Sequence, residues 1–540
     1  MFVLCEGPQL RLVAVNAAAR AMFPGRDALG RPLREAFTDL EGQHWIEQYE
    51  RVYEAGEPVA GREWRAQFAL SDGSIREVYA TFSLTPWRDG TGRVLGVIGA
   101  GTDVTEMVRT RMTIEDDLYA LQQRYARGRE MVGILQRELL PAGLPVLPSF
   151  RVGSSYLPGD VDASTGGDWF DAVVQPDGRL ALIVGDVVGN GVAASAIMGQ
   201  LRAVGYERLD AGASVAKALT ALDRVAVRLP GAYAATVCVA VLDPSSGAAT
   251  YCTAGHPPPL VVSDGKSRYL PVSGAGPLGT GSTFSTGTAS LDVGDLMLLY
   301  SDGILERPDV TASAAAVELA RVVADTASGA ALHDPGTLPV ERACAQTTEL
   351  LVRTTGHRDD VTLLAAQRVT SVPDLRLRMP AALSTLPKSR AALAEWLGQI
   401  GAGDDDRFAL LHGIGEVVAN AVEHGRPAEW DDDAVTLHAT LTADGHLVTA
   451  VTDRGNWQEA EPETHRGRGL AIAAELVDDV RVDHGARGTT ATIRHRLTRP
   501  VRVLRADRIS VPTTPQITAD EPRQLLLADT SGAHGPRVRV

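Results

Sequence analysis

Four short aspartate motifs, far apart in the chain, constrain its fold more than any other feature. They read Gly166-Gly167-Asp168-Trp169-Phe170-Asp171, Gly185-Asp186-Val187-Val188-Gly189-Asn190-Gly191, Ser301-Asp302-Gly303 and Arg358-Asp359-Asp360. Each acid lies beside glycine, at the end of an apolar run, or both. A fold uses that pattern to carry distant carboxylates into one pocket, since glycine lets backbone come close. Carboxylate oxygens are hard ligands that suit Mg²⁺ or Mn²⁺ rather than zinc. The chemistry indicated is a paired-metal hydrolase of phosphate esters, in which two cations lower the pKa of a shared water. A lone Asp-Gly is ordinarily a turn. Four such motifs in this order call for a site.

Composition narrows the setting. A chain of 540 residues exceeds one ordinary core and suggests roughly three to four domains. Its 44% apolar content is that of globular protein. A net charge of −15 argues against nucleic acid as the main partner and suits divalent cations. Cys5, Cys238, Cys252 and Cys344 are scattered without a CxxC pair, which predicts neither disulfides nor structural zinc and fits a reducing cytoplasm. No apolar run reaches the ~18 residues needed to span a bilayer, and the N-terminus lacks the pattern of a signal peptide.

Residues 1–106 read as a small α+β domain. Leu10 to Val15 is a strand, Asn16 caps the alanine-rich helix after it, and Asp72-Gly73 closes a hairpin between Trp64–Leu70 and Ile75–Leu84. A further strand, Val94–Gly99, leads to Asp103-Val104-Thr105-Glu106. These segments resemble a PAS sensor domain with a shortened first strand. His44 is read as a surface histidine. In residues 107–141, Ile114, Leu118, Leu121, Tyr125, Gly128, Val132, Leu135 and Leu139 alternate steps of four and three, an a/d seam that predicts a parallel dimeric coiled coil. Gly128 is its soft point. Residues 150–370 alternate apolar strands (Leu180–Val184, Thr236–Leu242, Leu296–Tyr300, Val361–Ala365) with helices (Val192–Tyr206, Ser214–Arg228), which predicts sheets packed between helices. Residues 375–498 form another α/β unit, and 499–540 read as linker or tail.

The aspartate motifs, with Leu139-Leu140-Pro141 and Ala254-Gly255-His256-Pro257-Pro258, resemble the SpoIIE-like branch of the metal-dependent (type-2C, PPM) serine/threonine protein phosphatases over residues 150–370. The resemblance implies an α/β/β/α sandwich holding two Mn²⁺ or Mg²⁺ ions. Asp186 would bridge them and be catalytic, and Val187 would offer its carbonyl. Asp302 and Asp359 would complete one metal position. Asp168 or Asp171 would serve the other, directly or through water, and Asp360 matches a neighbouring position. The family's Gly-His-Gly is here Gly189-Asn190-Gly191. His256 is read as structural and Trp169 as core or pocket wall.

A second constellation lies downstream. Glu416 and Asn420, four apart on an apolar helix, share a face. An acid and an amide so placed can orient a nucleophile and hold Mg²⁺ beside phosphates. The strand Val448–Thr452 delivers Asp453, able to accept from an adenine amino group, with Gly455 after it. Arg466-Gly467-Arg468-Gly469-Leu470 opens a helix where backbone N–H groups can meet phosphate. Gly488-Thr489-Thr490 begins a last strand. Together these resemble the GHKL ATP-binding fold of histidine kinases, gyrase and Hsp90-type ATPases, nearest the anti-sigma-factor serine kinases. The resemblance implies ATP with Mg²⁺, Glu416 as catalytic base, Asn420 as Mg²⁺ ligand, Asp453 reading adenine, and Gly455, Gly467, Gly469 and Thr489 framing the nucleotide.

The expectation is a multidomain α/β bacterial regulator: PAS sensor, coiled-coil helix, phosphatase and kinase-like ATPase. By resemblance the phosphatase acts on an anti-anti-sigma (STAS) protein and the kinase-like domain restores the phosphate. The alternative keeps the phosphatase alone and makes the kinase-like domain an inactive docking or sigma-factor-binding module. The expected setting is cytoplasmic, as a homodimer, with neither nucleic acid nor membrane as partner.

Overall fold

The computed structural model describes residues 1–504 apart from 24, 71–72, 160–165, 190, 333, 335, 358, 425–433, 456–467 and 486–487. The chain divides into two compact units, Met1–Gly128 and Arg129–Val540.

The first unit is built on a five-stranded antiparallel sheet. Its strands run, edge to edge, Arg11–Val15, Phe2–Glu6, Val94–Asp103, Ile75–Arg88 and Val59–Ala69. Asn16 caps the Ala17–Met22 helix, its side-chain oxygen accepting from the Ala19 N–H at 2.9 Å. Phe2–Glu6 is a strand the sequence pattern did not single out. Asp72 of the expected hairpin lies outside the described residues. Sheet and helices surround a cavity of about 290 Å³ lined chiefly by apolar side chains such as Leu12, Phe37, Ile46 and Phe82. His44 is exposed.

A single helix, Thr105–Leu139, follows. Of its heptad seam, Ile114, Leu118, Leu121 and Tyr125 are exposed. The side chains of Val132 and Leu135 lie outside the described residues.

The second unit begins with two five-stranded sheets packed face to face. One orders its strands Gly287–Ser290, Ala248–Ala254, Thr236–Leu242, Leu180–Asp186, Trp169–Val174. The other runs Lys266–Tyr269, Leu260–Ser263, Leu296–Tyr300, Val361–Arg368, Phe150–Leu157. Side-chain alternation between two buried faces explains why the central strands Leu180–Asp186, Thr236–Leu242 and Leu296–Tyr300 are almost wholly apolar. Leu180, Leu182 and Val184 enter the core between the sheets, whereas Ala181 and Ile183 meet the helices Gly191–Asp210 and Val215–Ala226 outside. In the other sheet Met297 and Leu299 face inward, and Leu296, Leu298 and Tyr300 face the helices Ala312–Ser328 and Thr347–Thr355. The result is a helix–sheet–sheet–helix sandwich.

A fourth sheet, ordered Leu375–Pro380, Ala434–Leu441, His446–Asp453, Gly488–Arg496, Asp479–Gly485, carries the helices Leu386–Ile400, Asp404–His424 and Arg468–Leu476. One core joins sheet and helices, including Leu397, Val417, Val418 and Val451. The residues after this sheet return to the sandwich. Thr498–Arg499 pairs with Leu144–Pro145, and Val503 bridges in parallel to Tyr156. Residues 499–504, placed in a linker by composition, are therefore built into the fold. All four cysteines are buried and free. No helix among the described residues is long and apolar enough to cross a membrane.

Candidate active site

The acids come from one end of both sandwich sheets. In the first sheet Trp169 pairs with Gly185, so Asp168 and Asp186 leave adjacent strands at the same end. Gly167 makes this possible: a Cβ there would collide with the Val187 carbonyl oxygen and crowd the Asp186 carboxylate. The Val187 N–H donates to the Gly167 carbonyl at 3.1 Å. In the second sheet the Ser301 N–H donates to Thr362 O at 3.0 Å, which sets Asp302 beside Asp359 and Asp360. A Cβ on Gly303 would strike the Asp360 carbonyl. Thr362 ties the two sheets together, its hydroxyl donating to Asp168 Oδ2 at 2.8 Å.

Burial and mutual charge shape the site. Asp168 is 3% exposed. Burial, then the charges of Asp186 and Asp360, hold its carboxyl well above the usual range. Burial pushes Asp186 up to about 8, helped by Asp302, Asp359 and Asp360. Asp302 is raised by burial and by Glu306 and Asp359. Asp360 is raised to about 6, chiefly by burial, although two donors oppose the shift. Those donors are the Tyr156 hydroxyl, 2.5 Å from Oδ2, and the Gly159 N–H, 2.7 Å from Oδ1. The Asp360 N–H in turn donates to Asp359 Oδ1 at 2.8 Å.

Asp171 stands apart from this group. It lies within Trp169–Val174 and meets Arg202 Nε at 2.9 Å. Burial raises it to about 6 and Arg202 opposes the rise. Of the two acids in its motif, the structure thus brings Asp168, not Asp171, to the others. His256 is buried with both ring nitrogens occupied, by the Thr236 hydroxyl at 2.8 Å and the Tyr300 carbonyl at 3.0 Å. Burial lowers it to about 4, so it is a neutral bracing group. Trp169 is wholly buried against the helices.

The carboxylates converge without closing into a cage: no group of three or more His, Cys, Asp or Glu among the described residues is tight enough to hold a metal ion. The donor chemistry fits a hard divalent ion all the same. It is all oxygen, and beyond burial the largest influences on Asp186 are other acids. Sequence reasoning missed Tyr156, Gly159, Thr362 and Arg202, because hydrogen-bond partners far away in the chain leave no local pattern.

In the last sheet, Asp453 ends its strand, 8% exposed, and accepts from the Gly455 N–H at 2.7 Å. It pairs with Thr489 on the neighbouring strand. Asp404–His424 packs over this sheet and carries Asn420, half-buried, and Glu416, exposed. Glu416 lines an opening of about 330 Å³ with Arg390 and His412. Gly469 lies in the first turn of Arg468–Leu476, and Gly467 lies outside the described residues.

A double-sheet sandwich with acids gathered at one end, followed by a helix-covered ATP-binding-type sheet, defines a PP2C-type protein phosphatase domain joined to a kinase-like ATPase domain. In order, the chain carries a PAS fold, a SpoIIE phosphatase domain and a histidine kinase-like ATPase domain. Residues 1–109 match the PAS fold, 176–369 Stage II sporulation protein E (SpoIIE), and 379–495 the histidine kinase-like ATPase domain. Among solved structures, the RsbU and RsbW domains of Rv1364c from Mycobacterium tuberculosis share 44% identity and a TM-score of 0.61, covering 67% of this chain and 99% of that one. Protein IcfG of Synechocystis is 28% identical over 202 residues, 32% of this chain and 31% of its own length.

Proposed function

We propose that the sandwich removes phosphate from a serine or threonine of an anti-anti-sigma (STAS) protein, and that the kinase-like domain phosphorylates the same protein with ATP and Mg²⁺. The observation that carries the first half is the convergence of Asp168, Asp186, Asp302, Asp359 and Asp360 at one end of two sheets. Asp186, the Val187 carbonyl, Asp302, Asp359 and Asp168 would hold two Mn²⁺ or Mg²⁺ ions, with Asp360 fixing the turn that carries Asp359. Bound there, the ions would supply an activated water and stabilise charge on the phosphoryl group. The residues themselves orient the ions, and burial on both sheets strengthens those interactions by keeping bulk water away.

Support for the second half is the match to a structure pairing RsbU with RsbW domains. Asn420 would take Mg²⁺, Glu416 would act as base, and Asp453, Gly455, Thr489, Gly467 and Gly469 would hold the nucleotide. A PAS cavity at one end and an exposed heptad seam beyond it suit a sensor that acts through a homodimeric helix. A sigma factor is a further candidate partner. The test is incubation of the full chain with candidate STAS proteins, first with ATP and Mg²⁺, then phosphorylated with Mn²⁺. Asp186→Asn should abolish Mn²⁺-dependent hydrolysis while leaving the fold intact; retained hydrolysis would refute the assignment. The second reading, in which the kinase-like domain only docks, draws on the exposure of Glu416. ATP binding by the wild-type chain but not by Asn420→Ala would argue against it.

A further inference from the structure

One strand of the sandwich touches both halves of the second unit. Phe150–Leu157 is the edge strand of its sheet. Near one end, Arg151 reaches the kinase-like domain, donating to the Gln399 carbonyl at 2.8 Å at the C-terminus of Leu386–Ile400. At the other end, Tyr156 donates to Asp360 Oδ2 in the acid cluster.

The chain that leaves the kinase-like sheet closes the loop. Arg499 donates to the Gly401 carbonyl at 3.0 Å, at the end of that same helix, and pairs with Glu341 of the sandwich at 2.5 Å. Guanidinium groups suit helix C-termini, where carbonyls lack partners. The chain then runs along the open edge of Phe150–Leu157. The Tyr156 N–H donates to Arg502 O at 2.9 Å, and the Leu504 N–H donates to Tyr156 O at 2.8 Å. Val501 and Val503 pack on the core between the sheets. Both backbone groups of Tyr156 are therefore bound by residues that follow the kinase-like domain, and its hydroxyl by the phosphatase centre.

We propose that Tyr156 is a positioning residue of the phosphatase centre, and that residues 501–504 hold it in place, so that the kinase-like domain's exit segment sets the cation affinity of the phosphatase. This rests on the phosphatase reading above. The path has few parts. The exit segment fixes the backbone of Tyr156, and its hydroxyl orients Asp360. Asp360 anchors the turn in which its own N–H holds Asp359 Oδ1. Groups that orient metal ligands from behind typically govern affinity by roughly 10- to 100-fold when removed.

The experiment is Mn²⁺ titration of the full chain, reading free Mn²⁺ by electron paramagnetic resonance, with thermal melts in EDTA as a check on folding. Tyr156→Phe removes only the hydroxyl. Leu504→Pro removes the N–H that binds Tyr156 O together with a leucine side chain packed at the edge of a core, so its melt is read beside its titration. Each should weaken Mn²⁺ binding roughly tenfold, and the double variant should be no weaker than about the worse single one, since both act on one path. If Leu504→Pro melts too early to titrate, Arg499→Gln, which frees the segment at Gly401 and Glu341, carries the same expectation. Wild-type affinity in Tyr156→Phe overturns the positioning role. Wild-type affinity in the exit-segment variant, or additive losses in the double, overturns the link. A wild-type chain that neither binds Mn²⁺ nor hydrolyses phosphoserine overturns the phosphatase reading itself, and the link with it.

Discussion

The two candidate sites of the second unit are assembled in opposite ways. In the sandwich, the acids lie at strand ends, Asp168 and Asp186 from one sheet and Asp302, Asp359 and Asp360 from the other, and close glycine contacts lock each set together. In the kinase-like sheet, Asp453 and Thr489 share a strand pair, but Asn420 and Glu416 come from one helix laid over it. Strand ends fix carboxylates against mutual repulsion, because the backbone cannot drift when both faces of the sheet are buried. A helix instead carries the acid and the amide on one face, and of the two Glu416 lines the opening beside Arg390 and His412. The first design tolerates concentrated negative charge; in the second, Asp453 alone is buried among the acids of the described residues.

The largest expected effect separates the two regions. Asp302→Asn should lower Mn²⁺-dependent hydrolysis ~100-fold or more, the rate equivalent of several kcal/mol of charge stabilisation. ATP binding, measured by calorimetry, should not follow it down. Parallel losses in both would mean that the regions are not independent sites.

Arg202→Met sharpens the division between Asp168 and Asp171. It leaves Asp171 buried without its cation and should cost about 3 kcal/mol in chemical denaturation, with Mn²⁺ affinity unchanged. A loss of affinity instead of stability would return Asp171 to the metal site. A smaller effect belongs to the kinase-like region. Asp453→Asn exchanges the proposed adenine acceptor for an amide and should weaken ATP binding roughly tenfold, the scale of one hydrogen bond to a charged group. Unchanged binding would place adenine elsewhere.

The smallest effect is a pH slope. His256 holds a folded value of about 4 against an ordinary 6.5. Between those values the unfolded chain takes up a proton that the folded chain refuses. Stability from this group is therefore complete only well above pH 6.5 and falls as the pH drops, by about 1 kcal/mol between pH 6.5 and pH 5.5. From denaturation curves at both pH values, the loss of stability between them should be larger in wild type than in His256→Gln by that amount, so that the pH slopes differ. Equal slopes would mean that the imidazole is reached by solvent and braces nothing.

The sequence made the sandwich legible because its strands are buried on both faces. Leu180–Val184 and Leu296–Tyr300 read as unbroken apolar runs, each followed two residues on by an acid, and they fold as the strands Leu180–Asp186 and Leu296–Tyr300. It could not separate Asp168 from Asp171, because their difference is Arg202, brought from another helix. Nor could it see that residues 499–504 are structural. Proline and arginine there look like linker, yet Val501 and Val503 reach the core between the sheets. Tyr156 carried no local signal, since its meaning lies in Asp360, a partner on the neighbouring strand's far side of the sequence. Periodicity encodes which face is buried, and it is silent on which distant side chain completes a hydrogen bond.

The most direct measurement of the central claim is release of phosphate from a serine-phosphorylated STAS protein by the full chain, first stripped of metal and then given Mn²⁺, beside Asp186→Asn under identical conditions. Release is expected only with Mn²⁺ and only with Asp186 intact. Release without added metal, or undiminished in Asp186→Asn, would contradict it.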